Sequence, residues 1–236
     1  MSTVTKLRGF VALVLGLTVV TCSSLVAQNY SSNLHEIVRE TQKQGVRPGR
    51  ITLVWWVPPE FWRAALLAGR TIPADKVEEM VASISDVNVF IVADAKVGAF
   101  GSLTFEPQSE LEKRLTVTDG SGKPVATIAE AKQPLATKNM LAMMKPLLSN
   151  MLGELGKNLS FFVFEGKNKD ETRRIDPTKP GMLTAKLSEE EFRWRLPLGS
   201  LLPPKVCPKC GETFPGNYGF CPFDETPLKD KPVQAK

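Results

Sequence analysis

The stretch Lys205–Leu228 reads KVCPKCGETFPGNYGFCPFDETPL, and it decides how the C-terminal end of the chain folds. Two residues separate Cys207 from Cys210, and the same spacing separates Cys221 from Asp224. A Cys-x-x-Cys turn places both of its sulfur atoms on one tight loop of backbone. The second turn would add a thiolate and a carboxylate, so the spacing predicts four ligands around one tetrahedral ion.

Zinc accepts both thiolate sulfur and carboxylate oxygen, so a Cys3Asp ligand set is chemically allowed. A segment this short cannot bury enough apolar surface to fold alone, and bound metal would therefore supply its folding free energy. Gly211 permits the positive φ that the first turn needs. We expect a thin apolar cap formed by Phe214, Tyr218, Phe220 and Leu228.

The segment resembles zinc-ribbon modules of bacterial proteins, whose pattern is C-P-x-C-G-x-x-F-P followed by F-C-P-x-D-G-T-x-L. The resemblance covers only the C-terminal end of the chain, and it implies a structural zinc ion. Glu225 stands where the pattern has glycine, which bears on the geometry of the last turn. Such ribbons stabilise or dock and do not specify an activity. The matching residues are Cys207, Pro208, Cys210, Gly211, Phe214, Pro215, Phe220, Cys221, Pro222, Asp224, Thr226 and Leu228.

A disulfide is the alternative to zinc, because Cys-x-x-Cys pairs oxidise in an oxidising compartment. The chain has four cysteines, and Cys22 falls in the predicted signal segment. Any bridge among the other three would leave one thiol unpaired, which favours metal over a disulfide. Reactive thiols are the third interpretation. A catalytic zinc ion is disfavoured, since four protein ligands leave no open position for water.

The N-terminal segment Met1–Ala27 is typical of a signal peptide. Lys6 and Arg8 precede the apolar run Phe10–Val20, which is shorter than the ~20 residues that a transmembrane helix requires. We expect cleavage after the last alanine of the segment. The alternative is lipid attachment at Cys22, which would anchor the protein to a membrane. Either reading predicts an exported protein, periplasmic or secreted.

Overall composition is that of a globular protein. The 236 residues allow one medium domain with a small appendage, and 42% are hydrophobic. The net charge is +5, which falls to +3 without Lys6 and Arg8, too weak to indicate nucleic-acid binding. His35 is the sole histidine, and no G-x-S-x-G, H-E-x-x-H or phosphate-binding glycine loop occurs.

Three segments of the central region carry the strongest structural signals. Ile51–Val57 is rich in β-branched and aromatic residues, which predicts a strand. Val87–Val97 is a nearly continuous apolar run, which predicts a strand buried on both faces. Thr137–Leu155 has apolar residues at helical spacing, and Pro146 is expected to kink or divide this helix.

Short connections between the predicted strands favour hairpins over crossovers. We therefore predict an α+β fold, a mainly antiparallel sheet with helices on one face, plus a small C-terminal zinc ribbon. The predicted boundaries are a signal peptide at 1–27, a mobile segment at 28–50, the α+β domain at 51–196, a Pro-rich linker at 197–204, the ribbon at 205–228 and a disordered tail at 229–236.

The first functional hypothesis is an exported, non-catalytic binding or scaffold protein with a structural zinc ribbon. Its expected partner is a protein of the cell envelope, with no nucleic acid, and with a membrane only if Cys22 is lipidated. The combination of signal, mixed domain and ribbon is similar to exported bacterial proteins that carry no assigned activity. Another hypothesis is an envelope thiol- or metal-handling protein that uses Cys207, Cys210 and Cys221.

The enzymatic alternative is a carboxylate-dependent enzyme acting on glycans. Paired carboxylates can perform acid–base chemistry without histidine, and Asp94 with Glu106 or Glu110 is the candidate pair. The observation behind this hypothesis is a cluster of three tryptophans, Trp55, Trp56 and Trp62. These side chains would form either a sugar-stacking surface or part of the core, and we expect the core.

Overall fold

The computed structural model describes residues 34–69 and 72–231. The predicted signal peptide, Cys22 and the end of the tail from residue 232 lie outside the described residues. Within these two ranges, no helix is both long and apolar enough to cross a membrane.

The described ranges contain six helices and twelve strands. The helices are α1 (Leu34–Thr41), α2 (Pro59–Gly69), α3 (Ala74–Ala82), α4 (Gln108–Glu112), α5 (Leu135–Met151) and α6 (Gly153–Lys157). The strands are β1 (Gln42–Arg47), β2 (Arg50–Val57), β3 (Val87–Val97), β4 (Leu103–Phe105), β5 (Leu115–Thr118), β6 (Pro124–Val125), β7 (Ser160–Glu165), β8 (Gly181–Leu187), β9 (Glu190–Leu196), β10 (Lys205–Val206), β11 (Thr213–Phe214) and β12 (Lys229–Asp230).

Two antiparallel sheets stack on each other and make up most of the molecule. The first sheet has the order β1-β2-β3-β4. Strand β7 pairs with the same edge of β3 as β4 does, β7 with the first half of β3 and β4 with its last three residues. The second sheet has the order β6-β5-β8-β9. Helices α1, α2, α3 and α5 cover the outer face of the first sheet, and the second sheet covers its inner face. The predicted α+β class is confirmed, while the division of the strands into two stacked sheets is an addition to it.

The long strand β3 lies at the centre because its side chains serve two cores in alternation. Val89 and Ile91 point toward the helices, whereas Phe90 and Val92 point toward the second sheet. All four are at most 1% exposed. Successive side chains of a strand point to opposite faces, so a continuous apolar run is what a strand between two apolar layers requires. The sequence predicted this double burial correctly.

The start of the described chain differs from the expected mobile segment at 28–50. Residues 34–41 form α1, and Ile37 is completely buried against the first sheet. Residues 42–47 form β1, which pairs with β2 along its whole length. The polar sequence QKQGVR gave no sign of a strand. This edge strand is ordered by backbone pairing with its neighbour rather than by apolar side chains.

Helix α5 contributes a methionine-rich face to the helical layer. Met140, Met144 and Leu148 are buried, as the helical spacing predicted. The helix continues through Pro146 and ends at Met151, so the proline does not divide it. Core packing explains the buried methionines, since thioether side chains fill irregular apolar gaps well.

The Pro-rich linker is held against the domain. It contains a 3-10 turn, Gly199–Leu201, whose first two backbone N–H groups donate to the Glu40 carboxylate at 2.8 and 3.0 Å. A carboxylate at this end of a helical turn satisfies N–H groups that the turn itself leaves unpaired. The Asn217 amide donates to the carbonyl of Pro197 at 3.1 Å. These contacts place the C-terminal module beside the two stacked sheets.

Candidate metal centre

The C-terminal module is a three-stranded sheet with a very small core. Strand β10 pairs with β11 on one side and with β12 on the other. The core consists of the buried Cys207, Cys221 and Phe214, with the partly buried Leu228 packed on them. Lys229 and Asp230 belong to this sheet, so the ordered module extends two residues into the expected disordered tail. The polar pair is ordered by backbone pairing with β10.

Two turns with the same hydrogen-bond pattern build the site. In the first turn, Cys207 N–H donates to the Glu212 carbonyl at 2.9 Å, and Gly211 N–H donates to the Cys207 carbonyl at 2.9 Å. In the second turn, Cys221 N–H donates to the Thr226 carbonyl at 2.8 Å, and the amide four residues on returns to the Cys221 carbonyl at 2.9 Å. The backbone therefore presents Cys207 with Cys210, and Cys221 with Asp224, in matching geometry.

Each turn closes on a residue in the left-handed backbone region. Gly211 has a φ of 77°, and Glu225 has a φ of 58° at the equivalent position of the second turn. Glycine reaches this region freely, whereas another residue pays a steric penalty of about 1 kcal/mol. Glu225 thus adopts the conformation for which the ribbon pattern uses glycine, and the last turn keeps its shape.

The four predicted ligands are brought together. One ligand atom from each of Cys207, Cys210, Cys221 and Asp224 lies within 4.8 Å of the other three. Cys207 Sγ is 3.7 Å from both carboxylate oxygens of Asp224, and Cys210 Sγ is 3.8 Å from Cys221 Sγ. All three thiols are free, so none of them forms a disulfide. Three cysteines and one aspartate are therefore close enough to hold a metal ion.

The electrostatics of this cluster follow from burial and from backbone amides. Burial raises the pKa of Cys221 to about 11, more than the surrounding amides lower it. Burial also opposes ionisation of Cys207, but the N–H groups of Cys210 and Lys209 lower its pKa below the ordinary value. The amide of Thr226, at 3.0 Å, is the main cause of the lowered pKa of Asp224. Four ligands this close would repel one another as anions, and a bound cation would relieve that repulsion.

The expected apolar cap is only partly formed. Phe214 is 9% exposed and lies under the site, whereas Tyr218 is 44% exposed and Phe220 is 63% exposed. Phe223, the third residue of the second turn, is 73% exposed. The ring centroids of Tyr218 and Phe223 lie 6.2 and 6.1 Å from the ring centroid of Phe214. The sequence placed Tyr218 and Phe220 in the cap, but so small a module has too little interior to cover them.

The candidate carboxylate pair is embedded in a network of cations. Asp94, 1% exposed, accepts two hydrogen bonds from the Arg50 guanidinium at 2.8 and 2.7 Å. Glu106 accepts a third from the same arginine at 2.9 Å. A hydrogen bond from Lys96, followed by that from Arg50, lowers the pKa of Glu106. A general acid needs a raised pKa, so this arrangement suits a structural ion-pair network better than glycan hydrolysis.

The other features behind the enzymatic alternative are structural as well. Glu110 lies on the surface and pairs with Lys113. Trp55, Trp56 and Trp62 are at most 2% exposed, which confirms that they are core residues and leaves no sugar-stacking surface on them. Sequence reasoning missed the role of Arg50, because its partners lie 44 and 56 residues along the chain.

A polar cleft of about 970 Å³ is formed by the β5–β6 hairpin and the loop at 166–181. The two arginines of this cleft, Arg173 and Arg174, already form ion pairs with carboxylates of the protein. Arg173 forms two hydrogen bonds with Glu60, and Arg174 binds Asp119 and Glu165. These pairs hold the loop against helix α2, the β5–β6 hairpin and strand β7, so both arginines already have partners within the protein.

Comparisons with known proteins add no assignment. No protein-family model matches the chain, and no curated protein and no solved structure is significantly similar to it.

Proposed function

We propose that this chain is an exported, non-catalytic binding or scaffold protein whose C-terminal module is held together by a structural zinc ion. The observation that carries the proposal is the convergence of Cys207, Cys210, Cys221 and Asp224 within 4.8 Å on two matching turns. The predicted signal peptide is the motive for export, and an envelope protein is the proposed partner.

Zinc is the ion that best suits the donor set. Thiolates favour zinc, copper(I) and iron–sulfur clusters, whereas a carboxylate oxygen is a poor ligand for copper(I). Four ligands on two turns match the tetrahedral coordination of zinc and leave no position for a reacting water. With only Cys207, Cys221 and Phe214 buried in its core, the module depends on bound metal for its folding free energy.

Metal analysis tests this proposal directly. Purified mature protein should contain one zinc ion per chain by mass spectrometry, and the two buried cysteines, Cys207 and Cys221, should not react with an alkylating reagent until a chelator is added. An Asp224→Asn variant should bind zinc at least about tenfold more weakly, because it replaces an anionic ligand by a neutral one.

The same experiment separates the alternatives. If the wild type and the Asp224→Asn variant both lack metal and both show one free thiol, the other two cysteines form a disulfide. A disulfide does not depend on Asp224, so the substitution would not change the thiol count. Rapid exchange of the metal with a chelator would favour the metal-handling hypothesis over a structural site.

The exposed aromatic side chains of the module support the binding role. The exposed rings of Tyr218 and Phe223 lie beside Phe214, and exposed apolar surface of this kind commonly marks protein contacts. A Phe223→Ala variant should recover at least about tenfold less partner from envelope extract than the wild type does. Phe100→Ala is the matched control, because Phe100 is fully exposed on the main domain. Equal recovery with both variants would contradict a partner site on the ribbon.

A further inference from the structure

We propose that the metal site is also a thiol switch, in which Cys210 and Cys221 form a disulfide that releases the ion. The proposal rests on the proposed metal site and specifies how that site would be regulated. Its basis is the short distance of 3.8 Å between the two sulfur atoms, which belong to different turns. The cysteines also differ in access, since Cys210 is exposed and Cys221 is buried.

Access decides which thiol would react first. Cys210 is the one exposed residue among the three cysteines, so in this proposal its thiol is the one that meets the oxidant first. Cys207 is 0% exposed, and its sulfur accepts the Cys210 N–H at 3.4 Å and lies 3.7 Å from both carboxylate oxygens of Asp224. The bridge that we propose therefore joins the exposed Cys210 to Cys221, whose sulfur lies 3.8 Å away on the other turn.

The oxidant in this proposal is a small disulfide, RSSR. The Cys210 thiolate attacks one of its sulfur atoms, which forms a mixed disulfide and expels one RS⁻. The Cys221 thiolate then attacks the Cys210 sulfur and expels the second RS⁻. Two protein thiolates lose two electrons in total, the small disulfide gains them, and the ion leaves with its charge of +2 unchanged.

Oxidation would exchange one cross-link for another. Cys207 and Asp224 alone are too few ligands to retain zinc. The new bond would join the same two turns, and a disulfide between them would limit the freedom of the metal-free chain. The module would thus lose its ion while its two turns stay connected.

Oxidised glutathione provides the test on the full-length mature protein loaded with zinc. We expect release of one zinc ion per chain, a mass decrease of about 2 Da that corresponds to one disulfide, and a Cys210–Cys221 cross-linked peptide after digestion. Cys210→Ser removes the thiol that attacks first, so this variant should form no intramolecular bridge. Phe220→Ala is the matched control, because it keeps all four ligands and should form the same bridge as the wild type.

Three results would overturn the switch while the metal site stands: zinc retained under oxidation, a Cys207–Cys210 bridge, or a glutathione adduct that persists on Cys210. Failure of the metal site itself gives a different result. Protein that contains no zinc before any oxidant is added would refute the proposed structural ion, and it would refute the proposed release of that ion as well.

Discussion

Replacing Cys207 with serine should abolish zinc binding and unfold residues 205–231 while the two-sheet domain stays folded. Cys207 is fully buried, and its backbone N–H and carbonyl close the first turn. Structural zinc contributes on the order of 10–16 kcal/mol to small domains of this kind, far more than the apolar contacts of Phe214 and Leu228 can replace.

Amide hydrogen exchange measures this outcome region by region. The variant should lose protection throughout the module, whereas β2 and β3 should exchange as in the wild type. Phe220→Ala is the control within the module, because that ring is 63% exposed and contributes no metal ligand. Retained protection in the Cys207→Ser variant would mean that contacts with the linker, such as Asn217 to Pro197, hold the module without metal.

Replacing Asp94 with alanine should lower the free energy of unfolding by about 3–5 kcal/mol, the range for breaking a buried ion pair from one side. Arg50 would keep Glu106 as a partner but would lose two hydrogen bonds in a largely buried position. Thr52, 1% exposed, would also lose the acceptor of its hydroxyl group.

Urea denaturation of the two-sheet domain checks this value. Glu110→Ala is the matched control, since it removes an exposed carboxylate from the same candidate set, and it should change the free energy of unfolding by less than about 0.5 kcal/mol. An Asp94→Leu, Arg50→Met double variant should recover much of the loss, because no unpaired charge remains. A small effect of Asp94→Ala would show that the network is not structural and would restore the enzymatic alternative.

Local patterns predicted the parts of this structure that are decided locally. The Cys-x-x-Cys and Cys-x-x-Asp spacing identified all four converging side chains, because each turn fixes its own two ligands. The apolar run of β3 predicted a strand between two layers, since burial on both faces requires apolar side chains at every position.

Features that depend on distant partners could not be predicted in the same way. Alternation along β8 and β9 indicates one buried face but does not say which sheet that face covers. The strand β1 is ordered by pairing with β2, and Asp94 is neutralised by an arginine 44 residues earlier. Neither relationship leaves a trace in the composition of the segments concerned.

The left-handed conformation of Glu225 bears on how such modules can be found in other chains. A search motif that demands glycine after the aspartate would reject this one, although its backbone follows the same path as at Gly211. The position is defined by a torsion angle rather than by a residue, and four metal ligands can enforce that angle at a cost of about 1 kcal/mol. A motif that tolerates any residue there, and requires only the ligand spacing, would recover metal-binding tails that a stricter motif overlooks.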